Sequence, residues 1–191
     1  MKRSHIIDIA IIALLSLSSL GIVGGSVFLQ NSVNNSSKVK IITDTSRYQE
    51  ILQHFGSNHE YITHFPHALY GAKNVRIAYY SGLPTEEKFF QIRLKHSPEK
   101  IQKLLAQYKK IAKYQYTGGN TNDHVNLHNG VPTTFFYTSD ASKESFPATY
   151  EILVLDAKDT GTPGFKWNHG HSYGVAIDSS ASEIVYWTEK W

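Results

Sequence analysis

Residues Ile9 to Leu29 form a run of twenty-one residues without a charged side chain, just behind the basic pair Lys2-Arg3. At 1.5 Å of rise per residue, about 20 apolar residues in a helix cross the hydrocarbon core of a bilayer. The run therefore predicts one transmembrane helix or an export signal. The excess of positive charge on its N-terminal side keeps residues 1–8 in the cytoplasm as a basic flank and sends everything C-terminal across the membrane. Gly24, Gly25 and Ser26 follow Val23, and Val23-Gly24-Gly25 is a passable cleavage tripeptide. The apolar core of a signal peptide is only about 7–15 residues, however, and this run is longer. The expectation is a retained single-pass anchor over 9–29, with secretion after signal cleavage as the alternative. Either route exports the rest of the chain.

Residues 30–37 (Gln-Asn-Ser-Val-Asn-Asn-Ser-Ser) are polar and uncharged, and read as a short flexible tether. The remaining 38–191 is long enough for one domain that buries a core without staples. The chain has no cysteine, which excludes thiol catalysis, thiolate-rich zinc sites and a disulfide framework. Twelve tyrosines and 13% aromatic residues favour strands over a helical bundle.

Charge is unevenly placed. Lys38 to Lys113 holds thirteen Lys/Arg against six Asp/Glu, whereas Tyr114 to Trp191 holds four against nine. Either the two halves face each other, or the basic half sits near anionic headgroups below its own anchor. The excess is too dispersed for a nucleic-acid surface, and no nucleic-acid partner is expected.

The pattern beyond the tether predicts a mainly antiparallel sheet with about two helices on one face, an α+β domain. Strands are expected at 38–43, 74–81, 88–96, 133–138, 149–156, 173–178 and 183–188. In the third of these, Phe90, Ile92 and Leu94 fall on one face and Gln91, Arg93 and Lys95 on the other. Ser179-Ser180-Ala181-Ser182 reads as a hairpin loop. A first helix is signalled by the capping-box spacing of Ser46 and Gln49, by Tyr48, Ile51, Leu52 and Phe55 at helical intervals, and by Gly56 as its stop. The second has Ser97 as N-cap, Pro98 at its first position and a stripe of Ile101, Leu104, Leu105, Tyr108, Ile111 and Ala112. The stretch 117–132 is long for a compact domain without regular structure.

Gly170-His171-Ser172-Tyr173-Gly174 matches the G-x-S-x-G pattern of a nucleophile elbow. That mechanism needs a strand before the serine, a helix after it, and acid and histidine partners downstream. Here the preceding residues read as a loop, the following ones as a strand, and no histidine follows His171. The better reading is two glycines flanking the tight start of a strand. The phosphate-binding patterns GxGxxG and the P-loop do not occur. Carboxylate pairs such as Glu86-Glu87 and Asp156 with Asp159 lie in expected turns or loops without a partner.

Ten histidines are a large share for this length. His124 with His128, and His169 with His171, together supply imidazoles for a zinc site with an open coordination position. His54, His59, His64 and His67 form a looser group. The spacing imposes no common face, since both pairs fall in loops or extended chain, and local hydrogen bonding explains such residues equally well. Aromatic clusters such as Tyr186-Trp187 with Trp191 suggest a stacking surface for sugar rings, although alternation in a strand sends one of each neighbouring pair into the core. The sequence thus points to a membrane-anchored extracytoplasmic binding or interaction module, with an envelope protein or glycan as partner and no evident catalysis or cofactor. The alternative is an exported metal-dependent hydrolase using His124, His128, His169 and His171 with zinc.

Overall fold

A computed structural model describes residues 40–42, 44–55, 61–81, 87–119, 122–141 and 143–191. The 9–29 span, the 30–37 tether, Gly56, His59 and Glu86 lie outside the described residues, as does the side chain of His54. Among the described residues no helix is long and apolar enough to cross a membrane.

Seven strands form one sheet: β1 (Lys40–Ile42), β2 (Lys73–Ser81), β3 (Lys88–Lys95), β4 (Tyr114–Thr117), β5 (Glu151–Asp159), β6 (Gly170–Asp178) and β7 (Glu183–Lys190). Their spatial order is β1-β2-β3-β7-β6-β5-β4, and every neighbouring pair is antiparallel. The strand that comes last in the chain therefore lies inside the sheet, between β3 and β6. Two helices, α1 (Tyr48–Phe55) and α2 (Pro98–Ile111), complete the regular structure together with short 3-10 turns at Thr45–Arg47 and His124–Asn126.

Both helices pack on the same face of the sheet. Tyr48, Ile51 and Phe55 from α1 and Ile101, Leu105 and Tyr108 from α2 meet Phe90, Ile92 and Leu94 of β3, Ile184 and Tyr186 of β7, and Val175 and Ile177 of β6. The α2 cap forms as its sequence predicts: Ser97 Oγ accepts from the Lys100 N–H at 3.3 Å, with Pro98 at the first position. Ile111, placed in the apolar stripe by its spacing, is instead 57% exposed at the end of the helix. The start of α1 also differs from expectation. Asp44, not Ser46, caps the turn leading into it, accepting from the Ser46 N–H at 2.9 Å. The Gln49 side chain reaches away to the His67 carbonyl at 2.7 Å rather than back to a cap.

The other face of the sheet is covered too, by irregular chain. Val131, Phe136, Phe146 and Trp167 from the long connections pack on Ile152, Val154, Ala176, Val185 and Trp187. This cover includes 133–138, for which the sequence predicts a strand. It lies across β3 instead of beside a strand, and its polar groups are served by the Gln91 side chain and by local backbone bonds rather than by a ladder. The extra strand is β4, whose Tyr114 and Tyr116 pack against this layer. Two features shape the β6–β7 hairpin over residues 179–182. Asp178 accepts from the N–H groups of Ser180 and Ala181, and Ser182 takes a left-handed φ of 55°.

The charge offset between the halves is met inside the domain. Arg93 and Arg76 share Asp140, Arg93 also faces Glu183 at 3.8 Å, Lys109 pairs with Glu151 and Lys113 with Asp156. Each of these pairs joins a cation of the first half to an anion of the second.

Candidate functional site

β3 places Gln91 and Arg93 on the face opposite the helices, where a lone sheet would leave them in water. The cover from Val131 to Ala141 buries them, so each polar group needs a partner within the protein. Gln91 is fully buried and is well satisfied. Its amide donates to the Phe135 carbonyl at 2.7 Å, and its oxygen accepts from both the backbone N–H and the hydroxyl of Thr138 at 2.9 Å. One residue of β7 completes the tie. Thr134 donates its hydroxyl to Glu189 Oε1 at 2.6 Å.

Burial drives the Glu189 carboxyl up to about 7, with the Thr134 and Tyr137 hydroxyls drawing it back toward ionisation. The Tyr137 hydroxyl is buried beside this carboxyl without reaching hydrogen-bond geometry, and burial raises it well above the phenol range. Across the sheet, Ser172 is the register partner of Glu189. Its Oγ is buried with no hydrogen-bond partner.

A second polar knot lies further along the same face. Arg93 stacks over Phe136, with its guanidinium carbon 5.6 Å from the ring centre, and donates to Asp140 at 2.7 Å. The hydroxyl of Tyr150 donates to Glu183. Burial, reinforced by that carboxylate, raises the phenol. Sequence alternation identified Gln91 and Arg93 as a polar face. The burial of that face could not be read from it, because the cover comes from a distant irregular segment.

The G-x-S-x-G pattern is the opening of β6 itself. Ser172 is completely buried in mid-strand, with no helix after it. The two glycines answer to packing. A Cβ on Gly170 would fall 2.5 Å from the Lys158 carbonyl oxygen. On Gly174 it would fall 2.2 Å from the Leu153 carbonyl oxygen and 2.7 Å from the Trp187 ring. Bare backbone is what allows β5 and the indole to approach β6 so closely.

The four candidate metal ligands do not converge. His124 stacks on Tyr116 under the irregular cover, with ring centres 4.3 Å apart. His171 lies on the helix-bearing side against Tyr61, at 4.4 Å. His128 and His169 are exposed. Among the described residues no group of three or more His, Asp or Glu side chains is placed to hold a metal ion.

His64, from the looser histidine group, has a defined structural task. It lies over β7, with Nε2 3.0 Å from the Trp187 carbonyl oxygen. A carbonyl only accepts, so Nε2 carries the proton of the neutral ring. Nδ1 is buried without a partner, and burial lowers the imidazole to about 4. Trp187 is fully buried. Trp191 is half-buried, its indole donating to the Trp167 carbonyl at 2.9 Å, so the two do not form an exposed sugar platform. The backbone of Trp191 pairs with Gly170 in both directions, at 3.0 and 3.1 Å, which fastens the end of β7.

A concave surface beside α1 is open to solvent, lined by Arg47, Glu50, Ile51, Gln53 and Tyr79. Arg47 and Glu50 form a two-pronged ion pair there, at 2.8 and 3.0 Å. In comparisons with known proteins, no family model, curated protein or solved structure matches the chain.

Proposed function

We propose that this chain is a single-pass membrane protein whose folded domain is displayed outside the cytoplasm and works by binding an envelope protein or glycan. The observation that carries the reading is the twenty-one-residue uncharged run behind Lys2-Arg3, set ten residues ahead of the first strand. The run gives an anchor and its direction.

The binding half of the reading is supported by how the polar side chains of the domain are used. Gln91, Thr134, Glu189, Arg93 and Glu183 tie the irregular cover to the sheet. The groove beside α1 faces outward and is lined by the Arg47–Glu50 ion pair, the Gln53 amide and the Tyr79 ring. Such mixed polar and aromatic lining suits recognition of a protein or carbohydrate surface.

Two measurements test this. Retention of the full chain in membranes through a carbonate wash, with the domain cleaved by protease added outside, is the expected result. Release into the soluble fraction would show a cleaved signal instead. A photo-crosslinking residue at exposed Gln53 in the anchored protein should give adducts of discrete mass. Their absence would overturn the groove as the binding surface.

A further inference from the structure

We propose that the end of the sheet where the tether joins is a lipid-facing surface, with the β5–β6 loop setting Phe165 into the interface of an anionic bilayer. This rests on the anchored reading above. The register defines the end in question. Lys40 pairs with Tyr79, Ser81 with Lys88, Lys88 with Lys190, Lys190 with His171 and Gly170 with Asp159. The first residue of β1, the final residue of β7 and the loop joining β5 to β6 thus share one end of the sheet.

Chain length holds that end near the membrane. Residues 30–39 link Leu29 to β1. Ten residues reach at most about 35 Å at full extension. The opposite end of the sheet lies about 27 Å away, from the nine-residue length of β5 at the usual strand rise.

The loop is built to present an aromatic outward. Asp159 accepts from the N–H groups of Gly161 at 2.9 Å and Trp167 at 2.8 Å. Asn168 accepts from the Thr162 N–H at 3.2 Å, and Trp167 anchors the loop from beneath with a left-handed φ of 62°. On this cross-tied frame Phe165 is 65% exposed, and Lys166 beside it is exposed as well.

Among the described residues the exposed charges of this end lean positive. Lys158 and Lys166 are exposed and Glu189 is buried, while Asp159, also exposed, accepts from its loop amides. Glu87 is half-buried. An apolar ring flanked by lysines, held within a tether's reach of headgroups, is the chemistry of interfacial membrane binding.

The absence of cysteine makes single-site labelling clean. The full chain carrying Thr162→Cys or Ala148→Cys, each bearing a small fluorophore, is reconstituted into phosphatidylcholine–phosphatidylglycerol vesicles doped with a brominated lipid. Both positions are exposed, the first in the loop and the second near the far end. Lipid quenching several-fold stronger at 162 than at 148, abolished by adding Phe165→Ser, is expected. Equal quenching at the two sites, or indifference to Phe165→Ser, in a protein that resists carbonate overturns this proposal alone. Release by carbonate overturns the anchored reading with it. Self-quenching between labels at 162 without lipid quenching would give the surface to a second copy of the chain and overturn the lipid assignment.

Discussion

Thr134 and Glu189 meet through a hydrogen bond of 2.6 Å that fastens the irregular cover to an interior strand of the sheet. The bond matches a protonated or a charged carboxyl, but the burial around it favours the protonated form, with the titration at about 7. His64, on the opposite face, is buried in its neutral form and titrates at about 4. One acid and one base are thus each held uncharged by the same sheet.

Their effects on stability oppose each other. Glu189 holds its proton up to about 7 when folded but only to 4.5 ordinarily, so folding binds a proton between those values and stability falls as pH rises through them. His64 stays neutral down to about 4 against an ordinary 6.5, so its contribution is present above 6.5 and is lost as pH falls to 4. Each effect amounts to about 3 kcal/mol over its window, at 1.36 kcal/mol per pH unit. In urea denaturation from pH 4.5 to 6.5, the stability of Glu189→Gln relative to the native protein should rise with pH, and that of His64→Gln should fall. A Glu189→Gln profile superimposable on the native one would refute the assignment.

Gly174→Ala should destabilise the domain by about 2–3 kcal/mol or more, because the new methyl meets a strand carbonyl and an indole that have little room to shift. Thermal melting and near-ultraviolet circular dichroism of the tryptophans report it together. An unchanged melting temperature would mean that β5 and Trp187 are looser around β6 than their packing indicates.

The two ends of one ion pair should differ sharply. Arg93→Ala leaves Glu183 buried and opposed only by Tyr150, and should cost about 3–5 kcal/mol. Asp140→Ala removes an exposed carboxylate from the same guanidinium and should cost about 1 kcal/mol or less. Comparable losses in denaturant unfolding would contradict this division.

Dialysis against a chelator should leave the melting temperature unmoved, since His124 and His171 are stacked on opposite faces of the sheet. A fall on chelation, reversed by zinc, would require a ligand set other than those four histidines.

The regular elements were largely legible in the chain. Ser97-Pro98 and the stripe behind it marked α2, and the alternation through Phe90, Ile92 and Leu94 assigned the helix-bearing face of β3. Periodicity is a local signal, and both features are local. The second face was not legible for the same reason. Whether Gln91 meets water or Thr138 depends on a connection forty-seven residues away that has no period of its own. Thr133 to Thr138 has strand-forming side chains, yet its backbone bonds run to the Gln91 side chain and to nearby residues of the cover, Ser139 and Glu144, instead of a neighbouring strand. The histidines failed as a ligand set because alternation along β6 turns His171 toward the helices, whereas His124 belongs to the cover on the other face.

The interior place of β7 governs when this domain can fold. β3 and β6 have no shared partner until residues 183–190 arrive between them, so β1, β2 and β3 remain a separate ribbon from β4, β5 and β6. On a ribosome or in an export channel, most of the domain is made before the strand that unites it is available. The cooperative step is therefore late and joins contacts distant in sequence, which makes it slow. Until then the edges of two incomplete sheets stand open, and the domain depends on the arrival of β7 before those edges find other partners.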